Sequence, residues 1–105
     1  MSENKNLSIK SFIRRAHLVQ YKDGTLDTNV FGDVKELCFE VIENNPQDAS
    51  KTLRNLYVFY YTSWPTESEI QQAKNLVVKA FEEDKASGKV TTVIEMPKVR
   101  YLKYV

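Results

Sequence analysis

The chain has 105 residues, a formal net charge of +1, 42% hydrophobic residues and 28% charged residues. This length and composition are typical of one folded domain, so we expect a single α+β domain over 1–105 with a polar tail at 1–6. The net charge is too small to select a nucleic-acid or membrane partner by bulk attraction. The single cysteine excludes an intramolecular disulfide and a cysteine-cluster metal site.

The segment 1–6 lacks the apolar stretch of a secretory signal, and no apolar run approaches the length that spans a bilayer. A lone cysteine is usual in a reducing compartment. We therefore expect a cytoplasmic protein with no membrane partner. Basic residues dominate the two ends of the chain and acidic residues its middle. The basic ends either form a basic face or pair with the acidic middle.

The first part of the chain carries two signals. Ile9, Phe12 and Ile13 have helical spacing, so the segment 7–16 is either a short helix or a long strand. The pair Asp23-Gly24 lies between two strand-like runs and favours a hairpin with limbs at roughly 16–22 and 25–31.

Residues 33–44 are predicted to form the first main helix. Asp33 and Glu36 have the spacing of an N-terminal cap. The apolar residues that follow recur at helical spacing and form one stripe: Val34, Leu37, Cys38, Val41 and Ile42. The pair Asn45-Pro46 ends the helix, because the residue before a proline avoids helical geometry.

Residues 47–62 mix helix and strand signals. We interpret them as a helical turn over 48–54, capped by Asp48, followed by a strand over 55–62 that is rich in aromatic and β-branched residues.

Residues 67–86 are predicted to form the second main helix. Thr66 and Glu69 have the spacing of a capping box, and Gly88 suits the turn that follows a helix. The sequence after it, 90–96, is typical of a strand.

These elements predict a two-layer α+β sandwich. We expect a mixed or antiparallel sheet of four or five strands, the last at 99–105, with the helices 33–44 and 67–86 on one face. The segments 55–62, 67–86 and 90–96 would form a β-α-β unit, and if its two strands are parallel neighbours the crossover is right-handed. The other face of the sheet is then solvated or covered by a partner.

Two residues are candidates for catalysis, and neither has a motif around it. His17 lies beside Arg14 and Arg15, with no serine or carboxylate at a catalytic spacing. Cys38 lies on an apolar stripe among glutamates, which is the wrong setting for a reactive thiolate. We therefore expect no enzymatic activity, no metal and no cofactor.

Five aromatic residues fall within 57–64. Alternation along a strand places Tyr57, Phe59 and Tyr61 on one face. The rings either fill the core, or meet a protein partner, or stack on unpaired bases. The predicted interaction surface comprises Arg14, Arg15, Tyr57, Phe59, Tyr61, Trp64, Arg100 and Tyr101.

The functional hypothesis from the sequence is a small non-enzymatic protein-interaction module, acting as an adaptor, an inhibitor or a regulatory subunit. It would bind a protein partner or a second copy of itself through the aromatic face or an edge of the sheet. The alternative is a protein that binds single-stranded nucleic acid through the aromatic strand and the basic N- and C-terminal segments.

Overall fold

The computed structural model describes residues 6–15, 19–20, 26–27, 34–96 and 98–102. The elements in chain order are β1 (Leu7–Arg15), β2 (Val19–Gln20), β3 (Leu26–Asp27), β4 (Lys35–Glu43), β5 (Leu53–Tyr61), α1 (Glu67–Ala86), β6 (Thr91–Thr92) and β7 (Lys98–Tyr101). A short 3-10 turn at Ala49–Lys51 joins β4 to β5.

Five of these strands form one mixed sheet in which β4 lies between β1 and β5. β1, β4 and β5 are consecutive antiparallel neighbours. β6 and β7 share the other side of β5: β6 pairs antiparallel with Leu53 and Arg54, and β7 pairs parallel with 55–58. β2 and β3 form a separate two-stranded sheet. The coarse prediction of an α+β fold is confirmed, with one main helix in the described residues instead of two.

The predicted helix at 33–44 is wrong, because Lys35–Glu43 is the strand β4. Its side chains are buried on both faces of the sheet: Leu37, Phe39 and Val41 on one, and Cys38 on the other. A strand buried on both faces reads as a continuous apolar run, and such a run contains helical spacings by accident. The proposed cap residue Asp33 lies outside the described residues.

The structure decides one open question near the start of the chain and tests part of one prediction. The segment 7–16 forms a strand over Leu7–Arg15, and all nine residues pair with β4, from Leu7 opposite Glu43 to Arg15 opposite Lys35. The predicted hairpin is confirmed where it is described, since Val19 lies opposite Asp27 and Gln20 opposite Leu26. The Asp23-Gly24 turn and most of both hairpin limbs lie outside the described residues.

The predicted order of a helical turn followed by a strand is confirmed for 47–62, but the turn is shorter than the predicted 48–54 and the strand begins at Leu53 instead of 55. A 3-10 turn at Ala49–Lys51 is capped by Asp48, whose Oδ1 accepts from Ser50 N–H at 3.0 Å, and the strand Leu53–Tyr61 follows. The aromatic and β-branched residues of this strand favour the extended backbone once it is buried.

The helix predicted at 67–86 is confirmed residue for residue. Its buried residues Ala73, Val77, Ala80 and Phe81 pack on β4 and β5 and form the main core. Gly88 follows the helix with φ at +72°, which a glycine adopts without steric cost. No helix in the described ranges has both the length and the apolar character needed to cross a bilayer.

The predicted β-α-β unit needs a correction. In place of the strand predicted at 90–96, only Thr91–Thr92 forms a strand, and it runs antiparallel to β5. The strand that pairs parallel with β5 is β7. A tight turn ends β6, because the Glu95 carboxylate accepts from the N–H of Thr92 at 3.1 Å and from its hydroxyl at 2.9 Å.

We predict that Thr66→Ala lowers the free energy of unfolding by about 1 kcal/mol. Thr66 Oγ1 accepts from Glu69 N–H at 3.2 Å, and the Glu69 carboxylate accepts from Thr66 N–H at 2.9 Å, so the variant loses half of a formed capping box. Urea denaturation measures the change. Ser68→Ala, two residues along the same turn, is the control, and an equal loss in both variants would contradict the assignment.

Candidate functional site

The aromatic strand face predicted to meet a partner lies in the core. Tyr57, Phe59 and Tyr61 are 0%, 1% and 4% exposed, and they lie on the face of β5 that α1 covers. Phe59 and Phe39 pack edge to face, with ring centroids 5.9 Å apart. These rings form part of the hydrophobic core between α1 and the sheet. The expectation of a binding surface on this face of β5 is therefore wrong.

The second face of β5 is also buried at its centre. Val58 and Tyr60 are fully enclosed together with Cys38 of β4. The predicted surface residue Tyr101 lies here, half-buried, with its ring stacked on that of Tyr60 at 5.9 Å. Burial raises the pKa of the Cys38 thiol to about 11, against a lowering by Arg14 and a smaller rise from Glu36, so the group stays protonated at neutral pH.

A buried polar network joins the end of α1 to the sheet. Asp84 is 2% exposed, and its carboxylate accepts from the Tyr57 hydroxyl at 2.6 Å and from the Arg100 guanidinium. The Asn55 amide donates to the Tyr57 oxygen at 3.1 Å and to the Lys89 carbonyl at 3.2 Å. The predicted surface residue Arg100 is therefore the counter-charge of a buried carboxylate.

Burial raises the pKa of the Tyr57 phenol, and its bond to Asp84 raises it further. The folded protein therefore holds this proton more tightly than the unfolded chain does. Its contribution to stability is present at neutral pH and is lost as the pH rises above the pKa of the unfolded chain.

We predict that Asp84→Ala lowers the free energy of unfolding by about 3 kcal/mol, because it leaves the buried Tyr57 hydroxyl and the Arg100 charge without their acceptor. Glu83→Ala, at the exposed neighbouring position of the same helix, is the control and should change stability by less than about 0.5 kcal/mol. Thermal and urea unfolding followed by circular dichroism measure both. A loss for Asp84→Ala no larger than that for Glu83→Ala would contradict the role of the network.

The strand β1 is the other feature with functional potential. In the described part of the chain its one neighbour is β4. Opposite residues of an antiparallel pair alternately exchange both backbone hydrogen bonds or none. One step beyond the strand, Asn44 N–H donates to Asn6 O at 2.9 Å, which fixes the phase of this alternation.

The even-numbered residues of β1 therefore direct their N–H and C=O groups to β4. The odd-numbered residues direct theirs away from the sheet, at an edge with no other strand among the described residues: Leu7, Ile9, Ser11, Ile13 and Arg15. Unpaired strand edges of this length are templates for another strand.

The side chains of β1 divide between the two faces. Leu7, Ile9 and Ile13 are half-buried against the main core beside α1. On the other face Phe12 is 44% exposed. The predicted site residue Arg14 lies beside it, with the guanidinium carbon 5.8 Å from the ring centroid of Phe12 and Nε 3.5 Å from the Glu36 carboxylate.

The remaining predicted residues meet at one end of the sheet. Trp64 is 62% exposed, and the Lys35 ammonium lies 5.6 Å from its ring centroid. Arg15 is exposed and pairs with Lys35 across the β1–β4 ladder. Of the predicted interaction surface, Arg14, Arg15 and Trp64 thus lie on the surface near β1, and the other members lie in or beside the core.

A shallow pocket of about 350 Å³ lies at the opposite end of the sheet. Its lining is mostly polar and comprises Asn6, Glu43, Asn44, Asn45, Pro46, Gln47, Lys51 and Leu53. In the described part of the chain, no three His, Cys, Asp or Glu residues are grouped closely enough to hold a metal ion. The candidate His17 lies outside the described residues.

Sequence reasoning missed two things that matter here. The alternation of backbone groups along β1 depends on its register with β4, and the residues that pair in that register lie far apart in the sequence. The role of Asp84 depends on contacts with Asn55 and Tyr57, which are 29 and 27 residues away in the chain.

No protein-family model, curated protein or solved structure matches this chain.

Proposed function

We propose that this protein is a non-enzymatic protein-interaction module, acting as an adaptor, an inhibitor or a regulatory subunit. It binds another protein or a second copy of itself by accepting a strand along the open edge of β1. Main-chain hydrogen bonds supply the affinity in this mode of recognition, and alternate side chains supply the selectivity.

The observation that carries the proposal is the phase of the β1–β4 ladder. It leaves the N–H and C=O groups of Ile9, Ser11 and Ile13 directed away from β4, at an edge where the described residues supply no other strand. A nine-residue strand whose outer edge is unpaired among the described residues favours association, because such edges are templates for another strand.

The charges of β1 shape which strands it accepts. Lys10, Arg14 and Arg15 are exposed along it. Charged residues on an edge suppress indiscriminate pairing, since a partner must present groups that tolerate or complement them. The edge is thus suited to selective pairing.

We predict that Ser11→Pro abolishes partner binding and preserves the fold. Ser11 N–H is directed away from β4, so proline removes a donor of the open edge without breaking the β1–β4 ladder. Ser11→Ala keeps that N–H and should bind as the wild type does. Tagged proteins are used to capture partners from the native host, and circular dichroism monitors their folding.

Lys10→Pro is the second control, because Lys10 N–H belongs to the set directed at β4 and its loss should destabilise the sheet. If Ser11→Pro folds normally and captures the same partners as Ser11→Ala, the edge is not the binding site and the proposal is wrong.

The nucleic-acid alternative is weakened by the burial of Tyr57, Phe59 and Tyr61, since base stacking needs accessible rings. Trp64, exposed beside the Lys35 ammonium, is the group that still fits it. A labelled oligonucleotide at low salt tests this alternative. Retardation that Trp64→Ala removes would favour it over strand addition, and absence of retardation would reject it.

A further inference from the structure

We infer that the strand accepted by β1 is β1 of a second copy of this chain, paired antiparallel about a two-fold axis at Ser11. The inference rests on the proposed function, because both use the same edge. It adds the identity of the partner and the register of the pairing.

Symmetry and the ladder phase leave few registers to consider. Two antiparallel copies of one strand are related by a two-fold axis perpendicular to the sheet. The helix-covered faces of both copies then lie on the same side of the joined sheet. Residues that lie opposite each other must then share a face, so odd-numbered residues meet odd and even meet even. One residue must therefore lie opposite its own copy, with the axis midway between the two. If that residue is Ser11, all nine residues of β1 pair.

With the axis at Ser11, every opposite pair is chemically compatible. On the helix side, Ile9 meets Ile13 of the second copy. On the other side, Lys10 meets Phe12, which is a cation–aromatic pair. At the ends, Arg14 meets Ser8 and Arg15 meets Leu7, over which the long arginine stem can lie. No two like charges lie directly opposite.

The adjacent registers pair fewer residues of β1 and place like charges opposite each other. An axis at Lys10 places two lysines directly opposite each other. An axis at Phe12 places Lys10 opposite Arg14 twice and Ile9 opposite Arg15. Like charges directly opposite on neighbouring strands are destabilising, so the sequence of β1 selects the Ser11 register.

The half-buried residues of β1 supply the reason for association. Leu7, Ile9 and Ile13 pack against the main core and keep part of their apolar surface exposed. In the paired sheet Ile9 lies opposite Ile13 of the second copy and Leu7 lies diagonal to that Ile13, so the apolar surfaces on the helix-covered faces of the two copies become continuous. Phe12, 44% exposed in the single chain, gains the Lys10 stem as cover.

Acidic residues of β4 reduce the repulsion between the two basic strands. Glu36 lies 3.5 Å from Arg14 Nε, and Glu40 lies directly opposite Lys10 in the β1–β4 register. The remaining repulsion makes self-association depend on salt. Added salt screens the repulsion between the two basic strands, so self-association strengthens, whereas binding of an acidic strand at the same edge weakens.

Cysteine cross-linking tests the register. In a Cys38→Ala background, Lys10→Cys and Phe12→Cys are prepared as separate proteins with different mass tags and are oxidised alone and mixed. Lys10 and Phe12 of the two copies form a pair without direct backbone hydrogen bonds, whose Cα atoms lie about 4.5 Å apart, within disulfide range. We expect the mixed disulfide to exceed either self-disulfide by at least about tenfold.

Each other outcome overturns the inference. Efficient self-disulfide of Phe12→Cys places the axis at residue 12, and that of Lys10→Cys places it at residue 10. No disulfide in any sample, together with a monomeric mass for the wild type by light scattering at high protein and salt concentration, means that β1 does not self-pair.

Failure of this inference is distinguishable from failure of the proposed function. A wild type that stays monomeric but captures another protein, which Ser11→Pro no longer does, contradicts the second copy and keeps the edge as the binding site. Capture and mass that are both unaffected by Ser11→Pro contradict both.

Discussion

Among the described elements a single α-helix, α1, covers a five-stranded sheet, and this constraint decides which strands are fully buried. A helix is about 10 Å across and neighbouring strands are about 4.8 Å apart, so one helix shields about two strands. α1 lies on β4 and β5, whose inward residues are the most deeply buried in the main core. β1 lies beyond that cover. Its apolar residues are half-buried and the outer side of its backbone is unpaired among the described residues, which is why this strand carries the functional proposal.

At the edge of the sheet opposite β1, polar contacts connect β7 and β5 to α1. β7 runs parallel to β5, and Arg100 on it reaches the carboxylate of Asp84 on α1, to which the Tyr57 hydroxyl also donates. These bonds satisfy groups that would be costly to bury alone, and they fix the helix end against two strands. One edge of the sheet is thus tied to α1 through Arg100, whereas at the opposite edge β1 has no second strand among the described residues.

Local signals in the sequence predicted the local elements well. The Thr66–Glu69 capping box, Gly88 and the Asp48 cap marked the limits of α1 and the 3-10 turn, because each acts through backbone groups a few residues away. The prediction failed at β4, where burial on two faces produced an apolar pattern that also fits a helix. At β5 the strand was predicted, but the burial of Tyr57, Phe59 and Tyr61 was not, because which face of a strand a helix covers is decided by the tertiary fold. Of the predicted surface, Arg14, Arg15 and Trp64 remain on the surface, and the edge that gives them a context follows from register, which local sequence does not encode.

Hydrogen exchange of the β1 amides, measured residue by residue by NMR at a protein concentration low enough for a monomer, tests the central claim most directly. An open outer edge predicts alternation: the amides of Lys10, Phe12 and Arg14 exchange slowly because they bond to β4, and those of Ile9, Ser11 and Ile13 exchange rapidly. Equal protection of both sets in the dilute monomer would show that the outer edge is already occupied, and would contradict the account.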